Sequence, residues 1–204
     1  MVDKDFLELV EHGKMTTGQN WGVGIILADP HTGKIALAKR TDNHLWATPG
    51  GKVEISETPK QGAIRECKEE SNVTINSMIC YDYGLHIAPN GKNWVSFMFL
   101  STDFDASKIK NQESEMEPFE WFTLSEALEL DLFPPSRKGI ETAIELGILR
   151  LDSDVPFNEA FANPDGNGYF PGFSQCDSSC SFNTYYEDME GCSYSYNPVG
   201  MIGW

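Results

Sequence analysis

Residues 51–73 read GKVEISETPKQGAIRECKEESNV and contain the start and stop signals of a helix. A cap, a first-turn proline, a capping-box glutamine and a left-handed stop are supplied by Thr58, Pro59, Gln61 and Asn72. No glycine or proline interrupts the run after Gly62. The stretch therefore predicts a helix over residues 59–71.

One face of this predicted helix is acidic. Glu66, Glu69 and Glu70 fall at i, i+3 and i+4, so they lie side by side. Three neighbouring carboxylates repel one another unless a cation lies among them, and hard oxygen ligands suit Mg²⁺ or Mn²⁺. The alternative is a solvated acidic face, which would require the preceding Gly50-Gly51 bend and the cap to occur by chance. The pattern favours a divalent-metal site.

The same residues resemble the Nudix box: Gly, five residues, Glu, seven residues, then Arg-Glu-U-x-Glu-Glu-x-Gly-U, where U is bulky and aliphatic. The matching positions are Gly51, Glu57, Arg65, Glu66, Glu69, Glu70 and Val73. Cys67 replaces an aliphatic residue, and it can still pack as a small hydrophobe. Asn72 replaces the last glycine, and asparagine tolerates the left-handed conformation. Neither departure removes a carboxylate.

The resemblance implies an α/β fold, a Nudix-type α/β/α sandwich with a mixed sheet, over about residues 1–150. It implies water attack on the pyrophosphate of a nucleoside diphosphate linked to another group. The implied metal ligands are Glu66, Glu69 and Glu70, with the carbonyl of Gly50 or Gly51 as an extra ligand. Glu66 or Glu69 could instead orient or deprotonate the water, and the sequence leaves this choice open.

Further site residues follow from the same resemblance. Glu57 is expected to pair with Arg65 and brace the loop against the helix, although contact with the metal is an equal alternative. The segment 111–117, NQESEME, is similar to a segment of MutT-like nucleoside triphosphate hydrolases and makes Glu115 a candidate late metal ligand. The candidate substrate contacts are Arg40 for a phosphate, the Gly51 bend, and Trp46 and Trp121 for stacking on a base.

Apolar runs predict the other elements. Strands are expected over residues 21–27, 34–40, 73–85, 94–102 and 119–123, with the second strand as the hairpin partner of the first. Helices are expected over residues 3–12, after a cap at Ser125, and from Ser136. Phe97 and Phe99 point one way and Met98 and Leu100 the other, so both faces of the sheet should be covered.

Composition limits the partners. A net charge of −16 argues against long nucleic acids and anionic membranes, but a small polyphosphate with bound metal is compatible with it. The N-terminus is not of signal-peptide type. The cysteines are five, an odd number, and Cys67 and Cys80 fall within the expected core, which fits a reducing cytoplasm better than secretion. A homodimer remains open. We therefore expect a cytoplasmic protein whose partner is a small nucleotide.

The composition changes after Arg150. Residues 151–204 contain no Lys or Arg, hold eight acids, and are rich in Phe, Tyr, Gly and Ser. An irregular acidic tail is favoured, and docking of its aromatic residues is the alternative. Its cysteines, Cys176, Cys180 and Cys192, are one ligand short of a closed zinc site. The function expected from the whole sequence is a metal-dependent nucleotide pyrophosphohydrolase. A nucleoside triphosphate is the favoured substrate, and the alternatives are ADP-ribose, NAD(H), dinucleoside polyphosphates or a non-catalytic sensor.

Overall fold

The computed structural model describes residues 4–87, 91–110 and 116–151. The predictions for Glu115 and for the tail beyond residue 151 lie outside these ranges. Within them, no helix has both the length and the apolar character needed to cross a membrane. The elements are α1 (Lys4–His12), β1 (Trp21–Leu27), β2 (Ile35–Lys39), β3 (Trp46–Ala47), β4 (Gly50–Lys52), α2 (Pro59–Ser71), β5 (Ile75–Ile87), β6 (Asn93–Phe104), a 3₁₀ turn (Ala106–Lys108), β7 (Glu120–Phe122), α3 (Leu124–Glu129) and α4 (Pro134–Glu145).

The strands form two sheets. The larger sheet has the order β4-β1-β6-β5, and the smaller has the order β3-β2-β7. β1 runs parallel to β6, whereas β4 and β5 pair antiparallel with their neighbours, so the larger sheet is mixed as expected.

The predicted hairpin between β1 and β2 is wrong. β4 and β6 occupy the two edges of β1, so β2 leaves that sheet and pairs with β3 and β7 instead. The two strands still meet at the turn between them, through an isolated bridge between Ala28 and Ile35. A tight turn brings two strands together, but long-range partners decide which edges stay available.

Both faces of the larger sheet are covered. On one face, Phe97 and Phe99 of β6 pack in a buried cluster with Cys67 of α2. On the other face, Met98 of β6 packs in a second cluster with Ile140 of α4. Burying a side chain of this size contributes about 1.5–3 kcal/mol, so the alternation along β6 holds helices on both sides. The predicted α/β/α sandwich is confirmed.

The last two helices begin earlier than predicted. The cap of α3 is Thr123, not Ser125, because the Thr123 hydroxyl accepts the N–H of Glu126 at 3.2 Å while the Glu126 carboxylate accepts the N–H of Thr123 at 2.8 Å. α4 begins at Pro134 rather than Ser136. The missing N–H of proline costs nothing in the first turn, where that group has no partner within the helix.

Candidate active site

Local signals place the acidic helix α2 as the sequence predicts. The Thr58 hydroxyl accepts the N–H of Gln61 at 3.2 Å, and the Gln61 side chain accepts the N–H of Thr58 at 3.0 Å. At the other end, Asn72 has a φ of 61° and donates its N–H to Lys68 at 3.1 Å. Cys67 is fully buried against the sheet, so the face that carries the glutamates turns toward the β4 edge.

Arg65 joins the loop before α2 to the carboxylates on α2. Its guanidinium donates two hydrogen bonds to Glu57, at 2.8 and 3.0 Å, and one to the carbonyl of Lys52 at 2.9 Å. Its Nη1 also donates to Glu66 and to Glu69, both at 2.9 Å. The expected pair between Glu57 and Arg65 is therefore present, and it is part of a wider network.

The network stabilises the charged forms of its central pair. Hydrogen bonds from Arg65 lower the pKa of Glu57, and the same contact raises the pKa of Arg65 above its usual value. Glu57, Glu66 and Glu69 share this single guanidinium, so negative charge is in excess at the site.

Glu70 and Glu66 both meet the glycine bend. The Oε2 of Glu70 accepts the N–H of Gly50 at 2.7 Å, and Glu70 is only 6% exposed. A Cβ on Gly50 would overlap the carbonyl oxygen of Val23, and a Cβ on Gly51 would lie 2.5 Å from the Glu66 carboxylate. Gly50 is required because the backbone of β1 approaches this closely, whereas a side chain at Gly51 would displace the Glu66 carboxylate.

The ladder between β1 and β4 distinguishes the two glycine carbonyls. Ile25 donates to Pro49, and four residues along the ladder Val53 donates to Trp21, with Val23 and Gly51 midway between these pairs. Antiparallel pairs alternate between bonded and non-bonded, so Val23 and Gly51 form a bonded pair and Gly50 faces Gly24 in a non-bonded one. The peptide groups of Gly50 therefore point away from β1, and its carbonyl is the better candidate ligand of the two.

The acidic residues match a hard cation in the chemistry of their donors. Among the described residues, no three His, Cys, Asp or Glu side chains lie close enough together to hold one metal ion. Instead, N–H groups of Arg65 and Gly50 hold Glu66, Glu69 and Glu70 along one side of the bend. The Arg65 guanidinium is a positive charge beside Glu66 and Glu69, and carboxylate and carbonyl oxygens are the ligands that Mg²⁺ and Mn²⁺ prefer.

The predicted substrate contacts do not lie together. Arg40 makes two hydrogen bonds with Asp42, at 2.9 and 2.8 Å, and its guanidinium lies 5.0 Å from the ring of Phe133. Trp46 pairs with Lys39 and Trp121 pairs with Ala36. Because Lys39 and Ala36 are an odd number of positions apart on β2, the two tryptophans lie on opposite faces of the smaller sheet.

Sequence reasoning missed two neighbours of the bend. Thr48 donates its N–H to the buried hydroxyl of Ser136 at 3.1 Å, which fastens the segment before Gly50 to the first turn of α4. The sequence predicts Trp94 only as the start of a strand, yet its ring lies beside Gly22, the β1 residue whose Cβ position is 3.5 Å from the Gly51 carbonyl oxygen. The sequence shows only a tryptophan at the end of a predicted strand. Its neighbours are not known until the strands are paired.

The chain is similar to known proteins in sequence and in fold. A family model described as the NUDIX domain matches residues 18–143. The chain is 28% identical over 138 residues to the RNA pyrophosphohydrolase of Dinoroseobacter shibae, covering 58% of this chain and 84% of that one. It is 30% identical over 82 residues to the 8-oxo-dGTP diphosphatase of Proteus vulgaris, covering 39% and 72%. The structure of a MutT Nudix hydrolase from Burkholderia pseudomallei matches with a TM-score of 0.54 at 26% identity, covering 60% and 96%.

The family match extends from before β1 into α4 and includes the glycine bend, the Arg65 network and all the glutamates of α2. Members of this family generally use divalent cations. The chain belongs to the Nudix hydrolase family and is a hydrolase of phosphoanhydride bonds.

Proposed function

We propose that the chain hydrolyses the pyrophosphate linkage of a small nucleotide, with a ribo- or deoxyribonucleoside triphosphate as the favoured substrate. The products would be the monophosphate and pyrophosphate. The observation that carries the proposal is the gathering of four carboxylates beside one glycine bend: Arg65 donates hydrogen bonds to Glu57, Glu66 and Glu69, and Gly50 donates one to Glu70. The similarity to the Proteus vulgaris 8-oxo-dGTP diphosphatase supports a triphosphate substrate.

We assign the metal-binding role to Glu66, Glu69 and Glu70, with the Gly50 carbonyl, and the metal to Mg²⁺ or Mn²⁺. Glu115 remains a candidate ligand from the sequence alone. A divalent cation at such a site neutralises phosphate charge and lowers the pKa of a coordinated water. Glu66 or Glu69 orients or deprotonates the attacking water, and Arg65 and Glu57 keep those carboxylates in position.

The remaining assignments concern substrate binding. Arg40 lies at the end of β2, and it must leave Asp42 before its guanidinium can bind a phosphate. Because Gly51 has no side chain, the backbone of the bend can lie close to the substrate. Trp46 and Trp121 cannot stack on the same base because they lie on opposite faces of their sheet.

A second candidate substrate is the 5′ end of a short RNA. The Dinoroseobacter shibae relative is named an RNA pyrophosphohydrolase, and its match covers more of this chain than the Proteus vulgaris match. The net charge of −16 opposes binding of a long polynucleotide, so we rank this candidate below the free triphosphate.

The test is hydrolysis of a substrate panel with Mg²⁺ or Mn²⁺. The panel comprises nucleoside triphosphates, ADP-ribose, NADH, a dinucleoside polyphosphate and a short 5′-triphosphorylated RNA. We expect release of pyrophosphate from a triphosphate, and removal of the cation by a chelator should abolish it. Turnover restricted to ADP-ribose, NADH or dinucleotides would exclude the triphosphate proposal.

The site assignment is tested with Glu69→Gln. Loss of a carboxylate that acts on the water or the metal should lower kcat by roughly 100-fold or more while the protein stays folded. Glu129→Gln is the matched control because Glu129 is an exposed acid on α3. Unchanged turnover in Glu69→Gln would remove Glu69 from the site, and turnover by no nucleotide would favour a non-catalytic sensor.

A further inference from the structure

The face of the larger sheet that packs against α4 also includes residues of β6 that precede Met98. Along β6, Trp94, Ser96 and Met98 alternate onto this face. Met98 lies under Gly139 of α4, so close that a Cβ on Gly139 would overlap its methyl group. Trp94, four residues before Met98, is only half-buried. Trp94 therefore keeps part of its surface accessible to solvent on this face.

The position of this ring relative to the active site is defined by β1. Gly22 of β1 pairs with Ser96, and a Cβ built on Gly22 would lie 3.7 Å from Cε3 of Trp94 and 3.5 Å from the carbonyl oxygen of Gly51. The Trp94 ring and the backbone of the glycine bend thus flank the same point. Because β1 carries glycine here, it places no side chain of its own between them, and the small Ser96 hydroxyl lies 3.4 Å from the same point.

The other described tryptophans do not offer a comparable surface at this place. Trp21 is 7% exposed and packs edge-on against Phe97. Trp46 packs edge-on against Phe122, with the ammonium of Lys39 lying 5.3 Å from its ring centre. Trp121 packs against the core cluster on the α2 side of the larger sheet.

We propose that the indole of Trp94 is the stacking platform for the base of the nucleotide substrate. This inference rests on the proposed function and adds the place of the base to it. The phosphates would lie at the edge strand β4, where Glu70 holds Gly50, and the nucleoside would pass over Gly22 toward Trp94. β6 is the second strand from β4, about 10 Å away, which a nucleotide spans from its phosphates to its base. Base stacking on tryptophan is tolerant of base identity, so Trp94 would add affinity for any nucleoside.

The kinetic test compares a nucleoside triphosphate with inorganic tripolyphosphate, which has no base. Trp94→Ala should raise KM for the nucleotide about tenfold, Trp94→Phe should restore most of the affinity, and neither should change KM for tripolyphosphate. Phe104→Ala is the matched control, since Phe104 is a half-buried aromatic residue at the other end of β6. An unchanged nucleotide KM in Trp94→Ala, or an equal rise for tripolyphosphate, would overturn the proposal.

A binding test separates this proposal from the proposed reaction. Nucleotide binding should quench the tryptophan fluorescence of the wild-type protein, and the quenching should largely disappear in the conservative variant Trp94→Phe. This measurement requires no turnover. Quenching that depends on Trp94 in a protein without hydrolytic activity would support the platform and exclude the reaction. Hydrolysis with quenching that survives in Trp94→Phe would exclude the platform alone.

Discussion

The carboxylate of Glu70 accepts a 2.7 Å hydrogen bond from the backbone N–H of Gly50, twenty residues earlier in the chain. This bond joins α2 to the edge strand of the larger sheet. Because a peptide group is planar, holding the N–H of Gly50 also restrains the peptide plane before it and the start of β4. Glu70 therefore positions the bend as well as contributing negative charge.

Removing the Glu70 carboxylate should loosen the bend. In Glu70→Ala the N–H of Gly50 loses a buried partner, and we expect the free energy of unfolding to fall by about 1–3 kcal/mol. Glu70→Gln keeps an acceptor and should lose less. Urea denaturation measures both changes, and amide hydrogen exchange at Gly50 reports the bond directly.

The matched control for this experiment is Glu69→Ala. The Glu69 side chain is 45% exposed and bonds Arg65 at the surface, so its loss should cost less than about 1 kcal/mol. If exchange at Gly50 were no faster in Glu70→Ala than in Glu69→Ala, Glu70 would have no positioning role.

Stability should depend on which residue stands at position 72, the C-terminal cap of α2, because that position requires a left-handed backbone. Asn72 has a φ of 61°, in the left-handed region. Glycine adopts this conformation without strain, whereas a residue with an ordinary Cβ is strained by about 1–2 kcal/mol. We expect Asn72→Ala to destabilise by about 1 kcal/mol. Asn72→Gly should stay near wild type, because relief at φ offsets loss of the side-chain contacts with Lys68 and Lys108. Urea denaturation measures the free energy of unfolding of both variants. An Asn72→Ala variant as stable as the wild-type protein would contradict the prediction.

Asp82 should make the protein less stable as the pH rises. Loss of hydration raises the pKa of Asp82 to about 6, although the positive charge of Lys138 on α4 opposes the shift and Glu145 adds to it. Between the unfolded pKa of about 4 and the folded value, the native state holds a proton that the unfolded state has released. Stability must therefore fall as pH rises through this window.

Asp82→Asn removes this titration. We expect it to stabilise the protein relative to wild type by about 1–3 kcal/mol at pH 7.5, and by much less at pH 4. The exposed Asp131→Asn variant is the control, and urea denaturation at the two pH values supplies the comparison. An equal effect of Asp82→Asn at both pH values would show that the burial of Asp82 does not govern its titration.

Prediction from the sequence succeeded where the signals are local. The cap at Thr58, the stop at Asn72 and the spacing of Glu66 and Glu69 lie within one helix and follow from backbone geometry. The salt bridge between Glu57 and Arg65 could be foreseen because both residues belong to one motif. The prediction of a β1–β2 hairpin was wrong because the residues of a turn do not determine which strands compete for an edge of the sheet.

The chain's own order of residues thus specifies the acidic helix α2, its family and the two-sided burial of β6. Tertiary structure alone decides that Glu70 meets Gly50, that Trp46 and Trp121 face apart, and that Trp94 lies beside Gly22. The reason is physical. Helix caps and side-chain periodicity depend on neighbours a few residues away, whereas sheet order and register depend on a competition among distant strands for backbone hydrogen bonds and buried area.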